Sequence, residues 1–258
     1  MTQSQRMPAI FVGHGSPMNA IENNIYTQAW EALGQRFPAP KAILMISAHW
    51  MTRGVAVTAM KQPQTIHDFG GFPQALFDIQ YPAPGDPALA QHIAQHLAPL
   101  PVVLDQQWGL DHGAWSVLVK MYPQAQIPVI QLSLDLTQPA GWHFELGQRL
   151  AALRDEGVML MASGNVVHNL RRMAFQSPGF DWAHRFNNVM RKAILEDDTE
   201  KLVNYQQFGQ DAALSVPTSE HFLPLLYVMG SKNGHDKTEI VVDGMDLGAI
   251  SMMTVLIS

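Results

Sequence analysis

The chain of 258 residues contains no cysteine. That excludes disulfides and thiolate metal sites together, so any metal has to be held by His, Asp or Glu. Charge is also sparse: charged residues make up 15% of the chain, the formal net charge is −6, and no run of Lys or Arg is long enough to track a phosphate backbone. No nucleic-acid partner is expected. No apolar stretch approaches the ~18 residues of a membrane span, and Met1 to Pro8 is polar, with one Arg and no apolar segment of the kind an export signal carries. The expectation is a soluble, unexported, cytoplasmic protein that does not engage a membrane. Three catalytic signatures are missing too: the Gly-x-Ser-x-Gly elbow, a phosphate-cradling Gly-Lys-Ser/Thr, and a dinucleotide glycine fingerprint.

What the chain does have is a 47% hydrophobic content, enough for a sizeable core, and 11 histidines. Short apolar runs recur and empty into histidine-bearing loops. Ile10-Phe11-Val12 stops at Gly13-His14-Gly15-Ser16-Pro17, Ala42 to Ile46 leads into Ser47-Ala48-His49-Trp50, and Val158 to Ala162 leads into Ser163-Gly164-Asn165-Val166-Val167-His168. Runs of that length bounded by Gly and Pro read as buried strands. Each histidine is then expected just past the carboxyl end of its strand, which is where open α/β sheets bind ligands. Neutral imidazole is the commonest protein metal ligand, so the pattern predicts a metal site at that rim.

The intervening segments complete the α/β rhythm. Ala20 to Phe37 carries Ile21, Ile25, Trp30 and Leu33 at roughly helical spacing and stops before Pro38 and Pro40. Helices are likewise expected over Pro87–Leu97, Ala114–Tyr122, Pro139–Glu156, Trp182–Leu195 and Leu202–Phe208, with Arg154 placed at a helix carboxyl end. Strands are expected over Val55–Thr58, Val102–Leu104 and Pro128–Leu134, and Glu239–Val242 with Ala249–Ile257 reads as a closing antiparallel pair. Thr218 or Ser219 can cap a helix whose first turn holds His221 and Pro224. The fold class is therefore α/β: a single domain over residues 1–258, with a central, mostly parallel sheet flanked by helices and the site at the carboxyl ends of the strands.

Any one histidine is more often a surface or core residue than a ligand. His14, His49, His112 and His168 stand apart because each sits in a tight loop flanked by Gly or Ser, where the scaffold fixes the side chain. His92, His96, His143, His184 and His235 fall in helical or polar surface contexts and receive no role; His92 and His96 are spaced i, i+4 but lack the Glu of a helical zinc-protease motif. The stretch from Gln62 to Pro87, with His67, Phe69 and Phe72, is too long for a simple connection and too aromatic for disorder, so it is expected to fold over a site.

Taken in order, Gly13-His14-Gly15-Ser16-Pro17, Ser47-Ala48-His49-Trp50, Thr65-Ile66-His67-Asp68-Phe69-Gly70-Gly71-Phe72-Pro73, Gly109-Leu110-Asp111-His112-Gly113, Ser163 to Leu170 and Glu220-His221 resemble the class III extradiol ring-cleavage dioxygenases, in the branch of 4,5-DOPA extradiol dioxygenases. The resemblance spans nearly the whole chain. It implies one divalent metal, Fe(II) or Zn, held by His14, His49 and His221, with His168 as a further ligand or as the catalytic acid/base. The third ligand of the wider family is typically a glutamate, and here its place falls to His221, so the donor set is neutral.

What the resemblance further implies is a small-molecule catechol such as L-DOPA, dioxygen as co-substrate, and 4,5-cleavage to a ring-opened semialdehyde. His168, near an unperturbed imidazole pKa of ~6.5, would take and return a proton at neutral pH. His112, beside Asp111, would steady bound oxygen or a substrate hydroxyl, while His67, Phe69 and Phe72 would shape the ring pocket. Zinc is redox-inert, so a zinc-loaded chain would instead be a hydrolase or a catalytically silent metal-binding protein. Homo-oligomerisation is compatible with this reading and not fixed by it.

Overall fold

Period-two burial on both faces shapes the central sheet, and it begins in the first apolar run. The computed structural model describes residues 6–258; residues 1–5, the start of the polar segment read above, lie outside the described residues. Eight strands form the sheet: β1 (Ala9–Gly13), β2 (Ala42–Thr52), β3 (Val55–Thr58), β4 (Val102–Asp105), β5 (Val129–Asp135), β6 (Val158–Gly164), β7 (Thr238–Val242) and β8 (Thr254–Ile257). Their spatial order is β4-β3-β5-β2-β6-β1-β8-β7. The four central strands, β5, β2, β6 and β1, are parallel, whereas β8 joins β1 antiparallel, β7 joins β8 antiparallel, and β3 meets β5 antiparallel.

Alternate residues of the central strands face opposite cores. Ile10, Val12, Ile43, Met45, Met159 and Met161 belong to one apolar cluster, with Trp30 and Trp115. Phe11, Leu44, Ile46, Leu160 and Ala162 belong to the other, with Leu150, Phe186 and Leu226. Strands buried on both faces read as continuous apolar runs, and this is why β1, β2 and β6 were visible in the sequence. Helices cover both faces: α1 (Ile25–Gln35) and α3 (His112–Met121) pack together on the first, while α4 (Ala140–Leu150), α5 (Asp181–Leu195) and α6 (Leu223–Gly230) lie on the second; α2 (Pro87–His96) packs near β3 and β4. Among the described residues no helix is long and apolar enough to cross a membrane.

Several expectations shift. The predicted helix from Ala20 is shorter: a 3-10 turn over Pro17–Ala20 precedes α1, which begins at Ile25 behind an Asn24–Thr27 capping box. Ile21 and Ile25, 41% and 64% exposed, are not part of its buried stripe, which reduces to Trp30 and Leu33. Strand β2 does not end before His49 but runs on to Thr52, with its pairing to β5 broken between Ile46 and Met51. His49 therefore rides in an irregular stretch inside a strand, a device that re-aims side chains near active sites. His221 is not in a helical first turn: α6 starts at Leu223, its N-cap is Phe222 without a side-chain bond, and Pro224 occupies its opening turn.

Two polar side chains read from the sequence only as parts of helices are core. His143 is fully buried, with Nδ1 2.9 Å from the Tyr227 hydroxyl. Arg154, expected near a helix carboxyl end, is also fully buried. Its guanidinium donates to the carbonyls of Met7 (2.7 Å), Ser231 (2.9 Å) and Ile257 (3.2 Å) and pairs with Asp236 at 2.6 Å. A long polar side chain at the end of an amphipathic segment looks solvated in one dimension. Here the backbone at Met7, at Ile257 and in the Ser231 loop closes over it and supplies its partners.

Candidate metal centre and its cleft

Parallel register decides which histidines meet. Val12 and Gly13 of β1 lie opposite Ser163 and Gly164 of β6, and Ser47 of β2 lies opposite Ser163, so β1 and β6 end level with Ser47 while β2 runs on past them carrying His49. His14 follows β1 directly, and its Nδ1 lies 2.8 Å from the Ser163 hydroxyl while its carbonyl accepts from Asn19 Nδ2 at 3.0 Å. Gly15, at φ +62°, turns the chain sharply away from the strand, in a conformation that favours glycine; a side chain there would also strike Met252. His112 opens α3, capped by Asp111, and Gly113 lets that helix start press against β2: a Cβ at this position would fall 2.8 Å from the His49 ring. His221 is fixed by its own carbonyl, which accepts from Asn165 N just past β6 at 2.8 Å.

Five imidazoles from five segments thus share one cavity of about 660 Å³. His14 Nε2 faces His49 Nε2 at 3.2 Å. Ring centroids lie 3.9 Å apart for His49 and His112, 5.0 Å for His49 and His221, 5.4 Å for His14 and His221, and 5.7 Å for His14 and His112. One nitrogen each from His14, His49 and His112 lies within 4.8 Å of the others, and atoms of His168, Glu220 and His221 make a second such group. His168 stacks on His221 at 3.5 Å with an interplanar angle of 7°. His112, expected to steady bound oxygen or a substrate hydroxyl and not as a ligand, is therefore as close to the His14–His49 pair as His221 is.

Carboxylates flank the outward nitrogens of three of the rings, an arrangement that suits a cation on their inner side. His49 Nδ1 lies 3.4 Å from Asp68 Oδ2, His112 Nδ1 lies 2.9 Å from Asp68 Oδ1, and His221 Nδ1 lies 3.2 Å from Glu220 Oε1. The Glu220 bond holds a proton on His221 Nδ1 and leaves the Nε2 lone pair pointing inward, as in carboxylate–histidine–metal arrangements, while Asp68 lies at ion-pair distance from the other two rings without hydrogen-bond geometry to either. His221 Nε2 is buried and has no hydrogen-bond partner among the described residues, an otherwise costly state. Burial first, then neighbouring imidazoles, hold His14 and His221 well below the ordinary imidazole pKa. His49 is pushed down to about 4 by burial and by His112, against the pull of Asp111 and Asp68. Burial opposes ionisation of Asp68, but the bond from His112 outweighs it and holds the carboxyl below its ordinary value. Neutral imidazoles beside an ionised carboxylate are the protonation states in which a divalent cation is bound, so the residues present fit a metal.

The remaining site residues divide by position. Phe69 and Phe72 line the cavity as expected, Phe69 meeting the His112 ring edge-on at 5.5 Å. Asp111 and His67, expected at the substrate, do not line it. Asp111 is fully buried behind the histidines, where it accepts from Ser47 Oγ (2.6 Å) and Gln131 Nε2 (2.8 Å) and caps α3. His67 Nε2 is satisfied by the Ile79 carbonyl at 3.0 Å, and its ring packs against Trp115. His168 lines the cleft but departs from its ordinary value: burial pushes it down to about 4, against the pull of Glu220. Sequence reasoning missed Asp68 and Glu220, although both stood inside the motifs quoted; asking what holds each imidazole's second nitrogen would have found them. It also missed the opposite wall, Leu170, Met173, Phe175, Leu247 and Ile250, which carries no periodic signal.

Comparisons with known proteins agree with this geometry. Residues 7–255 match the family described as the catalytic LigB subunit of aromatic ring-opening dioxygenase. The chain is 55% identical to the 4,5-DOPA dioxygenase extradiol of Escherichia coli (strain K12), across 98% of this chain and 96% of that protein. It is 38% identical to the 4,5-DOPA dioxygenase extradiol of Beta vulgaris, across 93% of this chain and 92% of the relative. A crystal structure of an uncharacterized protein from Escherichia coli K12 superposes with a TM-score of 0.86 at 50% identity, covering 98% of this chain and all (100%) of that one.

Proposed function

The chain belongs to the LigB family of aromatic ring-opening dioxygenases and is a metal-dependent extradiol enzyme, and from that premise we propose that it opens the ring of L-DOPA or a close catechol at the 4,5 bond, using Fe(II). The observation that carries this reading is the convergence of His14, His49 and His221 on the floor of an apolar cleft wide enough for one aromatic ring. We assign those three residues as ligands, with His112 at the same floor and His168 at its edge. Fe(II), when bound, would supply the redox couple that zinc lacks and a positive charge that makes a catechol hydroxyl easier to ionise.

The chain's own groups do the rest. Asp68 and Glu220 keep the imidazoles facing inward, and the Phe69 and Phe72 rings hold the catechol ring edgewise and exclude water. His168, stacked on His221 and open to the cleft, is placed to take a proton from the second hydroxyl and return it to the opened product. His112, whose backbone N–H donates to Asp68 at 2.9 Å, presents its ring to the cleft beside the reacting ring. His14 and His221 are hydrogen-bonded at Nδ1, to Ser163 and Glu220, which leaves Nε2 of each for a metal, whereas no side chain anchors the His168 ring among the described residues. The reducing cytoplasm, where Fe(II) persists, is the compartment that suits this chemistry.

Reconstitution tests the reading. Metal-free protein loaded anaerobically with Fe(II), then given oxygen and L-DOPA, should form a yellow ring-opened product, and the zinc-loaded protein should form none. Absence of ring opening with L-DOPA and with simple catechols would remove the assignment. His168→Gln should keep its iron and lose most turnover; loss of the iron instead would make His168 a ligand.

A further inference from the structure

The cleft is a ligand site on grounds independent of its charge, because the unpartnered His221 Nε2 opens into it. Its charge distribution is one-sided. Among the described residues no Lys or Arg lines the cavity, whereas three carboxylates do: Asp68, Glu22 and Asp246. Asp68 is engaged by His49 and His112 at the floor. Asp246 accepts the Leu247 N–H at 2.8 Å through Oδ1 and, like Glu22, has no cationic side chain within 4.0 Å among the described residues. The nearest candidates to neutralise them are occupied or outside. Lys120 Nζ is bound to the Glu22 backbone carbonyl at 2.8 Å, and Arg171 and Arg172 are exposed residues that do not line the cavity.

Register fixes how far the mouth lies from the histidines. His168 bridges Ile250, and Ile250 pairs with Asp246. Two strand spacings separate the His168 and Asp246 backbones, about 10 Å. A catechol with a two- or three-carbon tail spans roughly 8 Å from its hydroxyls to a terminal charged atom by ordinary bond lengths. A ring seated at the histidine floor therefore delivers its tail toward Asp246, with Glu22 on the lining of the same cavity.

We propose that this cleft selects catechols whose side chain carries a positive charge, with Asp246 and Glu22 meeting that charge at the mouth; the inference rests on the ring-opening reading above and names the substrate class of the same site. A catechol with an ammonium tail supplies the missing counter-charge to the half-buried Asp246 and the exposed Glu22 at the mouth of the cleft. A catechol with only a carboxylate tail meets two like charges and no cation. L-DOPA carries both groups, so its ammonium is the handle and its carboxylate is left toward solvent.

Binding, measured without turnover, tests this. Protein loaded with Fe(II) is titrated anaerobically, by calorimetry, with dopamine, 4-ethylcatechol, 3-(3,4-dihydroxyphenyl)propionate and L-DOPA. Dopamine should bind about tenfold more tightly than the propionate, the size expected from a pair of partly exposed charge contacts, with 4-ethylcatechol between them. The ratio should shrink as salt rises from ~0.05 M to ~0.5 M. Replacing both carboxylates, Glu22→Gln with Asp246→Asn, should bring it toward one. Equal or tighter binding of the propionate, or a ratio that survives the double substitution, overturns the proposal. Admitting oxygen then separates the two readings: charge-ordered binding without ring opening sinks the dioxygenase substrate assignment and leaves the selection standing, ring opening without charge order does the reverse, and failure of all four ligands to bind overturns both.

Discussion

His143 offers a sharp test of the packing, because it sits away from the metal centre and its cost is calculable. The side chain is fully buried beneath α6, bonded through Nδ1 to the Tyr227 hydroxyl, and Nε2 has no partner among the described residues. Burial pushes its pKa down to about 4, against the weaker pull of Gln138 and Asp135. In the unfolded chain the imidazole takes a proton near ~6.5. Between those values the unfolded state binds more protons than the folded one, so stability rises with pH across the window and falls on acidification. The penalty is absent above pH ~6.5 and reaches about 2.5 kcal/mol by pH ~4.5, because each pH unit between the folded and unfolded pKa values is worth about 1.36 kcal/mol.

His143→Gln keeps a group able to accept the tyrosine hydroxyl but does not titrate. Urea unfolding of the metal-free wild type and variant at pH ~7.5 and ~4.5 isolates the effect, because protonation of the active-site histidines is common to both. The stability of the wild type relative to the variant should drop by about 2.5 kcal/mol between the two pH values. A difference that changes by less than about 0.5 kcal/mol would mean that the imidazole is hydrated or already charged in the native state, and the reasoning would fail.

Two further substitutions probe the supporting structure. Asp68→Asn removes the charge that anchors two imidazoles while keeping the side chain's size; metal affinity, read by competition with a chelator, should fall about 10–100-fold with the fold intact, and unchanged retention would deny Asp68 its orienting role. Asp236→Asn strips the counter-charge from the fully buried Arg154 and should cost about 3–5 kcal/mol in denaturant unfolding at neutral pH. Burial works against ionisation of Asp236, but the Arg154 bond outweighs it and holds the carboxyl below its ordinary value; its contribution is therefore complete above that value and lost as pH falls below it, so the gap between wild type and variant should close in strong acid.

The parallel strands β1, β2 and β6 were legible because burial on both faces leaves an unbroken apolar run, and the histidines His14, His49 and His168 were legible because each run empties into a loop of Gly or Ser. The six motifs in order were enough to carry the family. Less of the site's wiring could be read that way. Asp111 and His67 sit among functional-looking neighbours yet face away from the cleft, and no local pattern tells a side chain that caps a helix from one that meets a substrate.

By itself the sequence determined the α/β class, the cysteine-free donor set and the histidines that could matter, since composition and periodicity are properties of the chain in one dimension. Only the tertiary structure decided that Asp68 bridges His49 and His112, that Glu220 holds His221, that Arg154 and His143 are core, and that the cleft mouth carries carboxylates without a cation. Apart from the neighbouring Glu220–His221 pair, whose side-chain directions the fold sets, those facts depend on contacts between residues far apart in the chain. They follow from strand register and helix docking, and no local spacing encodes them.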